Sequence, residues 1–387
     1  MSKTKEVHHD THATPPHFVQ EAYWRYNRIK FEELEKDQNV IDFGRGLSES
    51  QQSFFRPVNT IKASTIETAC IAFRNKALRI DSDRPLRSAL KDVTVYEHVN
   101  FPGLQIAPNV LPPETQVLFV SQVMGPYLAN PKHKNNLEAD YDIDFPEPSA
   151  HAQSQIPSSN NSHDPRDPAL APISSFFSYN TNSIPLQLKS SSNQKPLNAA
   201  QFLEKKLRWL TLGEQYDWPT RSYPPNTPTT FPSDLYALVT TLFPHIVPES
   251  GVCLLYGGKD YMPVHRDVSE QCQTGLASFS FGCDGIFVVA KGDEEITDEA
   301  KKQSAIAVFR VRSGDCVHME GEARWCWHAM PRTIPGTCPE WLEKWPALDI
   351  DDDEAARWTG KERKAFAKWK GYMGRKRLNV SCRQVWS

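Results

Sequence analysis

Three stretches of the chain carry metal- and anion-binding residue types at usable spacings. The first is His265-Arg266-Asp267, which follows the run VCLLYGGKDYMPV. In extended chain, residues i and i+2 point to the same side, so one imidazole and one carboxylate can grip a single cation. Spacing alone is weak evidence, because His8-His9-Asp10 repeats it without any strand pattern around it. The second is His328 in ARWCWHAMPR, which by itself reads as a core histidine beside Trp325 and Trp327. Joined to His265 and Asp267, it completes a set of two imidazoles and one carboxylate. That set leaves coordination positions open and suits non-haem Fe(II). The third is RLNVSCR at 377–383. Its strict alternation puts Arg377, Asn379, Ser381 and Arg383 on one strand face and Leu378, Val380 and Cys382 on the other. The bland version is a strand with its polar face in water. Turned into a cavity, the two guanidiniums demand an anion, and a dicarboxylate matches their fork geometry.

These residues need strands to hold them, and the sequence supplies many. From about residue 201, short apolar runs (VCLLYGG, ASFSFGC, GIFVVAKG, AIAVFRVRSG, DCVHME, ARWCWHAM, RLNVSCRQVW) alternate with Gly, Asp and Pro. Many short strands with such punctuation indicate a sandwich or barrel. Helical spacing occurs at 18–36 and in FPSDLYALVTTLFPHI, and 103–130 reads as strand, turn and short helix. The segment 336–375 reads as an insert with a helix in TGKERKAFAKWKGYM.

Composition locates what is not core. The chain has 387 residues, 39% of them apolar, with 30 Pro and only 18 Gly. Residues 131–200 hold 12 Ser, 9 Pro, 8 Asn and 4 Gln and no Gly, so this stretch is expected to be a disordered insert, with Phe176, Phe177 and Tyr179 as the exception that docks locally. Residues 1–17 are expected to be a flexible tail, and 18–130 an N-terminal helical and extended region packing on a core at 201–387. The 44 basic and 47 acidic residues leave a formal charge of −3, which excludes an overall cationic nucleic-acid coat. Local contact remains open at 361–377 (KERKAFAKWKGYMGRKR), where Phe366, Trp369 and Tyr372 recur at three-residue steps. That pattern fits a phosphate-tracking, base-stacking helix or a solvated helix docked through its aromatics. The eight cysteines are dispersed without a C-x-x-C pair, and no apolar run approaches the ~18 residues of a membrane span. An intracellular setting is expected, nucleus or cytoplasm, with the mitochondrion left open.

The order H-x-D, His, then R-x-N-x-S-x-R resembles the AlkB family of Fe(II)/2-oxoglutarate dioxygenases. LRWLTLGEQYDW, FPSDL, SGDCVHMEGEARWCWHAMPR and RLNVSCRQV are similar to its AlkB homologue 1 branch. The resemblance covers roughly 200–387 and implies an α+β fold with a mainly β core. That fold is a double-stranded β-helix (jelly roll) with flanking N-terminal helices. It also implies Fe(II) held by His265, Asp267 and His328, with 2-oxoglutarate and O2 as co-substrates. By the same resemblance Arg377, Asn379, Arg383 and Tyr256 bind 2-oxoglutarate, although Tyr256 also fits a half-buried strand aromatic. Trp209 and Tyr216 keep the seven-residue spacing of an aromatic pair that flanks a flipped base, and core packing explains them equally well.

Departures from the bacterial repair enzyme lie on the substrate side. Leu254 replaces a co-substrate-binding Asn, Ser269 replaces an acidic base contact, and no Arg follows Phe287, where Lys291 and Asp293 stand instead. The activity implied is oxidative demethylation of methylated DNA or RNA, releasing succinate, CO2 and formaldehyde. The bases implied are N6-methyladenine in DNA and N1-methyladenine or 5-methylcytosine in tRNA. A protein hydroxylase or demethylase with the same iron chemistry, and a catalytically silent nucleic-acid binder, are the alternatives.

Overall fold

The computed structural model describes residues 10–146, 175–189, 194–225, 230–347 and 364–386. Two sheets face each other. The minor sheet runs in the order β1 (Val40–Ile41), β12 (Ile306–Val311), β11 (Asp284–Ala290), β14 (Trp327–Ile334), β9 (Met262–His265). The major sheet runs β2 (Phe55–Ile61), β3 (Val93–His98), β4 (Leu104–Ala107), β13 (Cys316–Met319), β10 (Leu276–Gly282), β15 (Arg377–Arg383), β8 (Ser250–Tyr256), β7 (Trp209–Gly213). Neighbours pair antiparallel except β1 with β12. A separate two-stranded ladder joins β5 (Tyr141–Ile143) to β6 (Leu186–Leu188).

The period-2 pattern of β15 explains the layering. Leu378, Val380 and Cys382 are fully buried against the helices behind the major sheet, while Arg377, Asn379, Ser381 and Arg383 face the other sheet. Burying each large apolar side chain contributes about 1.5–3 kcal/mol, so a one-residue slip would expose that row and bury four polar groups without partners. Behind the major sheet lie the longer helices α1 (His17–Arg28) excepted: α2 (Ala63–Leu78), α3 (Pro113–Gln122) and α4 (Ser233–Leu242). Helix α1 instead covers the minor sheet, setting Ala22 and Tyr26 on Ile286, Val308 and Ile334. Between the sheets, Val289 and Phe309 pack against Leu276, Val317 and Met319.

Four expectations are corrected. Residues 18–130 are not merely a flank, because β1 joins the minor sheet and β2, β3 and β4 extend the major one. Edge strand β2 is largely exposed and contains Pro57, so it lacks the apolar alternation that would have marked it. The insert expected at 131–200 is ordered at 131–146, 175–189 and 194–200, where Tyr141, Phe176, Phe177, Leu186 and Leu197 enter the main core. The docking expected of Phe176, Phe177 and Tyr179 is found, whereas bulk composition hid Tyr141, Leu186 and Leu197; 147–174 and 190–193 lie outside the described residues. The expected tail is placed from residue 10, and 10–14 line the central cavity, while 1–9 lie outside the described residues. Last, of the helix expected near 359–373, the described residues show helix at 364–366 and then 3-10 turns, while 359–363 lie outside the described residues. Phe366, Trp369 and Tyr372 are buried in the main core, with Trp369 and Tyr372 edge-on to Phe177, so they offer no stacking face. The remainder of that segment and the acidic run at 349–354 lie outside the described residues.

Candidate active site

His265 ends β9, and His328 sits directly opposite it on β14 as its register partner. Antiparallel pairing thus brings two residues far apart in sequence to a ring separation of 4.3 Å. Asp267 follows two residues after His265, on the same side. His265 Nε2 is 4.0 Å from Asp267 Oδ1, and His328 Nε2 is 3.9 Å from Asp267 Oδ2. One ligand atom from each of the three lies within 4.8 Å of the others. Both imidazoles are oriented from behind. His265 Nδ1 lies 2.8 Å from the Pro263 carbonyl and His328 Nδ1 3.2 Å from the Cys326 carbonyl. A carbonyl only accepts, so each Nδ1 carries the proton and each Nε2 offers its lone pair to the shared point.

Charge at this point is set by neighbours. Burial, reinforced by His265, pushes His328 down to about 3, so it stays neutral. Burial would raise the Asp267 carboxyl, but Arg383, His328 and His265 outweigh it and hold it well below the usual carboxylate range. Arg383 Nη1 lies 3.1 Å from Asp267 Oδ2 and donates to Glu270 Oε1 at 2.8 Å. Glu270 Oε2 accepts from Arg324 Nη2 at 2.6 Å, and Arg324 also donates to the Asp267 carbonyl. Two buried guanidiniums therefore share Glu270 and brace the metal-facing carboxylate from behind. Glu270 and Arg324 escaped the sequence reading. Glu270 lies just outside the H-x-D motif, and Arg324 belongs to a stretch that reads as strand but forms a 3-10 turn, Gly321–Trp325.

Arg377 behaves differently from Arg383. It is 1% exposed, donates Nη2 to Ser280 Oγ at 2.8 Å, and reaches the Cys283 and Val311 carbonyls at 3.3 and 3.4 Å. Its Nε has no partner. The nearby Asp284 is already taken by Arg310 and Arg312 at 2.7 and 3.5 Å, and among the described residues no carboxylate pairs with Arg377. Tyr256 is its register partner on β8. Arg377, Tyr256, Asn379 and Arg383 all line one cavity with the His265, Asp267, His328 cluster, and its volume is about 540 Å³. Asn379 Nδ2 donates to Ser278 Oγ and the Phe279 carbonyl at 2.9 and 3.0 Å, which turns it toward β10.

Comparison with known proteins agrees with this geometry. The family described as the 2OG-Fe(II) oxygenase superfamily matches residues 171–383. The chain is 32% identical to the N6-methyladenosine RNA demethylase ALKB1 of Pyricularia oryzae over 383 residues, 97% of each chain. The chain belongs to the 2OG-Fe(II) oxygenase superfamily. Within it, the chain falls in the AlkB homologue 1-like branch. It is 40% identical to the N6-methyladenosine RNA demethylase ALKBH of Cryphonectria parasitica, covering 54% of this chain and 90% of that one. It is 31% identical to the tRNA demethylase abh1 of Schizosaccharomyces pombe, covering 75% and 82% respectively. The chain is thus a 2-oxoglutarate-dependent dioxygenase, with Fe(II), 2-oxoglutarate and O2 as its cofactor and co-substrates.

The residues present fit those groups. Two bare imidazole nitrogens and a low-lying carboxylate are the donor set of a non-haem iron site in this superfamily. The unpaired buried guanidinium of Arg377 fits a carboxylate of the co-substrate. The aromatic wall differs from the expectation. Trp209 does not line the cavity; it packs behind Trp218, ring centroids 5.2 Å apart. Trp218 and Tyr216 line the cavity, edge-on at 5.0 Å, with Tyr223 5.3 Å from Tyr216. On β7 Trp209 stands opposite Leu254, and its ring is shielded from the cavity by the Trp218 loop, which spacing within one strand cannot reveal. Ser269 lines the cavity with Tyr216.

Proposed function

We propose that this dioxygenase removes N-linked methyl groups from adenine bases in RNA. The observation that carries the proposal is the composition of the one cavity. Its floor holds the His265, Asp267 and His328 cluster, one side holds the unpaired Arg377, and the other side holds Tyr216, Trp218 and Tyr223. At about 540 Å³ it has room for a small dicarboxylate and a purine side by side. The relatives in Pyricularia, Cryphonectria and fission yeast are all named for demethylating RNA. The two-sheet architecture supports assignment to the double-stranded β-helix.

In this proposal His265, Asp267 and His328 would hold Fe(II), which with 2-oxoglutarate and O2 supplies the oxidising power for attack on a methyl C–H bond. Arg377 would pair with the distal carboxylate of the co-substrate, and Tyr256 and Asn379 would close that end. Arg383 keeps Asp267 ionised, and Glu270 holds Arg383 and Arg324 in place beside it. Tyr216 and Trp218, which meet edge-on, would form the aromatic wall against which the base stacks after it leaves the helix, with Ser269 beside them. The eight free cysteines support a reducing, intracellular setting.

The test is turnover of 2-oxoglutarate with oligonucleotides carrying N6-methyladenine or N1-methyladenine, in RNA and in DNA, followed by nucleoside mass spectrometry. Succinate formed in step with loss of methyl from the RNA supports the proposal. Methyl loss confined to DNA redirects it to that substrate, and succinate without any change in the nucleosides sinks it in favour of a protein substrate.

A further inference from the structure

A second cluster of metal-binding side chains lies on the opposite face of the major sheet. His318 sits in β13 between Val317 and Met319; those two line the catalytic cavity, so the His318 imidazole projects the other way, toward Phe243. It is 2% exposed. His245 arrives from the turn after helix α4, and Glu320 follows at the end of β13, with half and 37% of their side chains exposed. One ligand atom from each of the three lies within 4.8 Å of the others.

The distances match a metal polyhedron. The two imidazole Nε2 atoms are 3.1 Å apart, and Glu320 Oε2 is 3.8 Å from His245 Nε2 and 3.9 Å from His318 Nε2. The point equidistant from these three atoms lies about 2.1 Å from each, against ~2.0–2.2 Å for zinc bound by imidazole nitrogen or carboxylate oxygen. The ligands are oriented as metal ligands are. Gln105 Oε1 lies 3.3 Å from His318 Nδ1, and Gln105 Nε2 donates to Glu320 Oε1 at 2.6 Å. An amide oxygen only accepts, so the proton sits on Nδ1 and the His318 Nε2 lone pair points at the shared point. Space is kept there by Gly275, where a Cβ would come within 2.6 Å of His318 Nε2.

We propose that His245, His318 and Glu320 bind one zinc ion, with its outward position taken by water. The ion ties the segment after α4 to β13, directly behind the cavity wall formed by Val317 and Met319. It takes no part in the oxidation. The alternative is a single proton shared by the two imidazoles, which would hold the same 3.1 Å contact without a metal.

The experiment is zinc titration of the full chain, with bound metal counted after gel filtration, because the iron site also takes zinc. Two equivalents are expected for the parent chain, one for His245→Asn, and one for His265→Ala. The zinc retained by His265→Ala should fall at least about 100-fold in affinity when His245→Asn or Glu320→Gln is added. His245 is exposed and Glu320 only half-buried, so these variants should fold, which circular dichroism checks. Gly275→Ala, which fills the site without removing a ligand, should also bind one equivalent. His245→Asn should keep its 2-oxoglutarate turnover with iron. One equivalent in the parent chain, or a second equivalent undiminished in both His245→Asn and Glu320→Gln, overturns the proposal in favour of the shared proton.

Discussion

Arg377 and Arg383 share one face of β15, yet replacing them should change stability in different ways. In Arg383→Met, Asp267 and Glu270 lose the guanidinium that now lies 3.1 and 2.8 Å from them. Breaking a buried pair from one side costs about 3–5 kcal/mol, because an uncompensated charge stays behind. Arg377 has no carboxylate to abandon. Burial already penalises its charge and holds it below its ordinary value. Its three hydrogen bonds go to neutral acceptors and work against a desolvation cost of several kcal/mol with no opposite charge to repay it. The two terms nearly cancel, so Arg377→Met should leave the apo chain within about 1 kcal/mol of the parent. Co-substrate binding should show the reverse order of visibility. Losing the buried ionic partner of a carboxylate costs about 2–5 kcal/mol, or roughly 30-fold to more than a thousandfold in Kd for 2-oxoglutarate. Urea melts of the apo chains and 2-oxoglutarate titration of the metal-loaded chains read the two quantities separately. A loss of 3 kcal/mol or more in apo Arg377→Met, with 2-oxoglutarate affinity unchanged, would refute the reasoning and make Arg377 a structural residue.

Other outcomes follow from the same contacts. Glu270→Gln keeps the shape but removes the charge shared by Arg324 and Arg383, so Fe(II) affinity should fall about 10–100-fold by metal titration; an unchanged affinity means the bracing of Asp267 is idle. Trp218→Ala should lower kcat/KM for methylated oligonucleotide by roughly 5- to 150-fold, from the loss of about 1–3 kcal/mol of stacking, and Trp209→Ala should lower it less; the opposite order restores Trp209 to the cavity. Burial pushes His98 and His133 down to about 4 each. In the unfolded chain each takes up a proton near its ordinary ~6.5, so their contribution to stability is complete above about 6.5 and is lost as pH falls toward 4. Urea melts at pH 7 and 5 should therefore show a smaller acid loss in a His98→Gln/His133→Gln chain than in the parent, and equal losses would contradict the assignment.

The parts of this site that were legible in the sequence are those written in one strand. The alternation of 377–383 announces two faces, and the i, i+2 step of His265 and Asp267 announces one shared side. The pairing of His265 with His328 was suggested only by order and resemblance, because cross-strand register leaves no local trace. Glu270 and Arg324 were invisible for the same reason: their importance lies in contacts between a loop and a 3-10 turn. In 131–200 the aromatics Phe176, Phe177 and Tyr179 stood out, but a polar, Pro-rich average concealed the ordered chain around them, and β2 misled because an exposed edge strand has no apolar face to display. The aromatic steps at 366, 369 and 372 were ambiguous between stacking and packing, and burial in the main core decides for packing.

The most direct measurement is succinate and formaldehyde release from an N6-methyladenine RNA oligonucleotide by the parent chain and by Asp267→Ala, with Fe(II) supplied in both. The account requires both products from the parent in equal amounts, dependent on iron and 2-oxoglutarate, and neither from Asp267→Ala. Turnover that survives Asp267→Ala would contradict it.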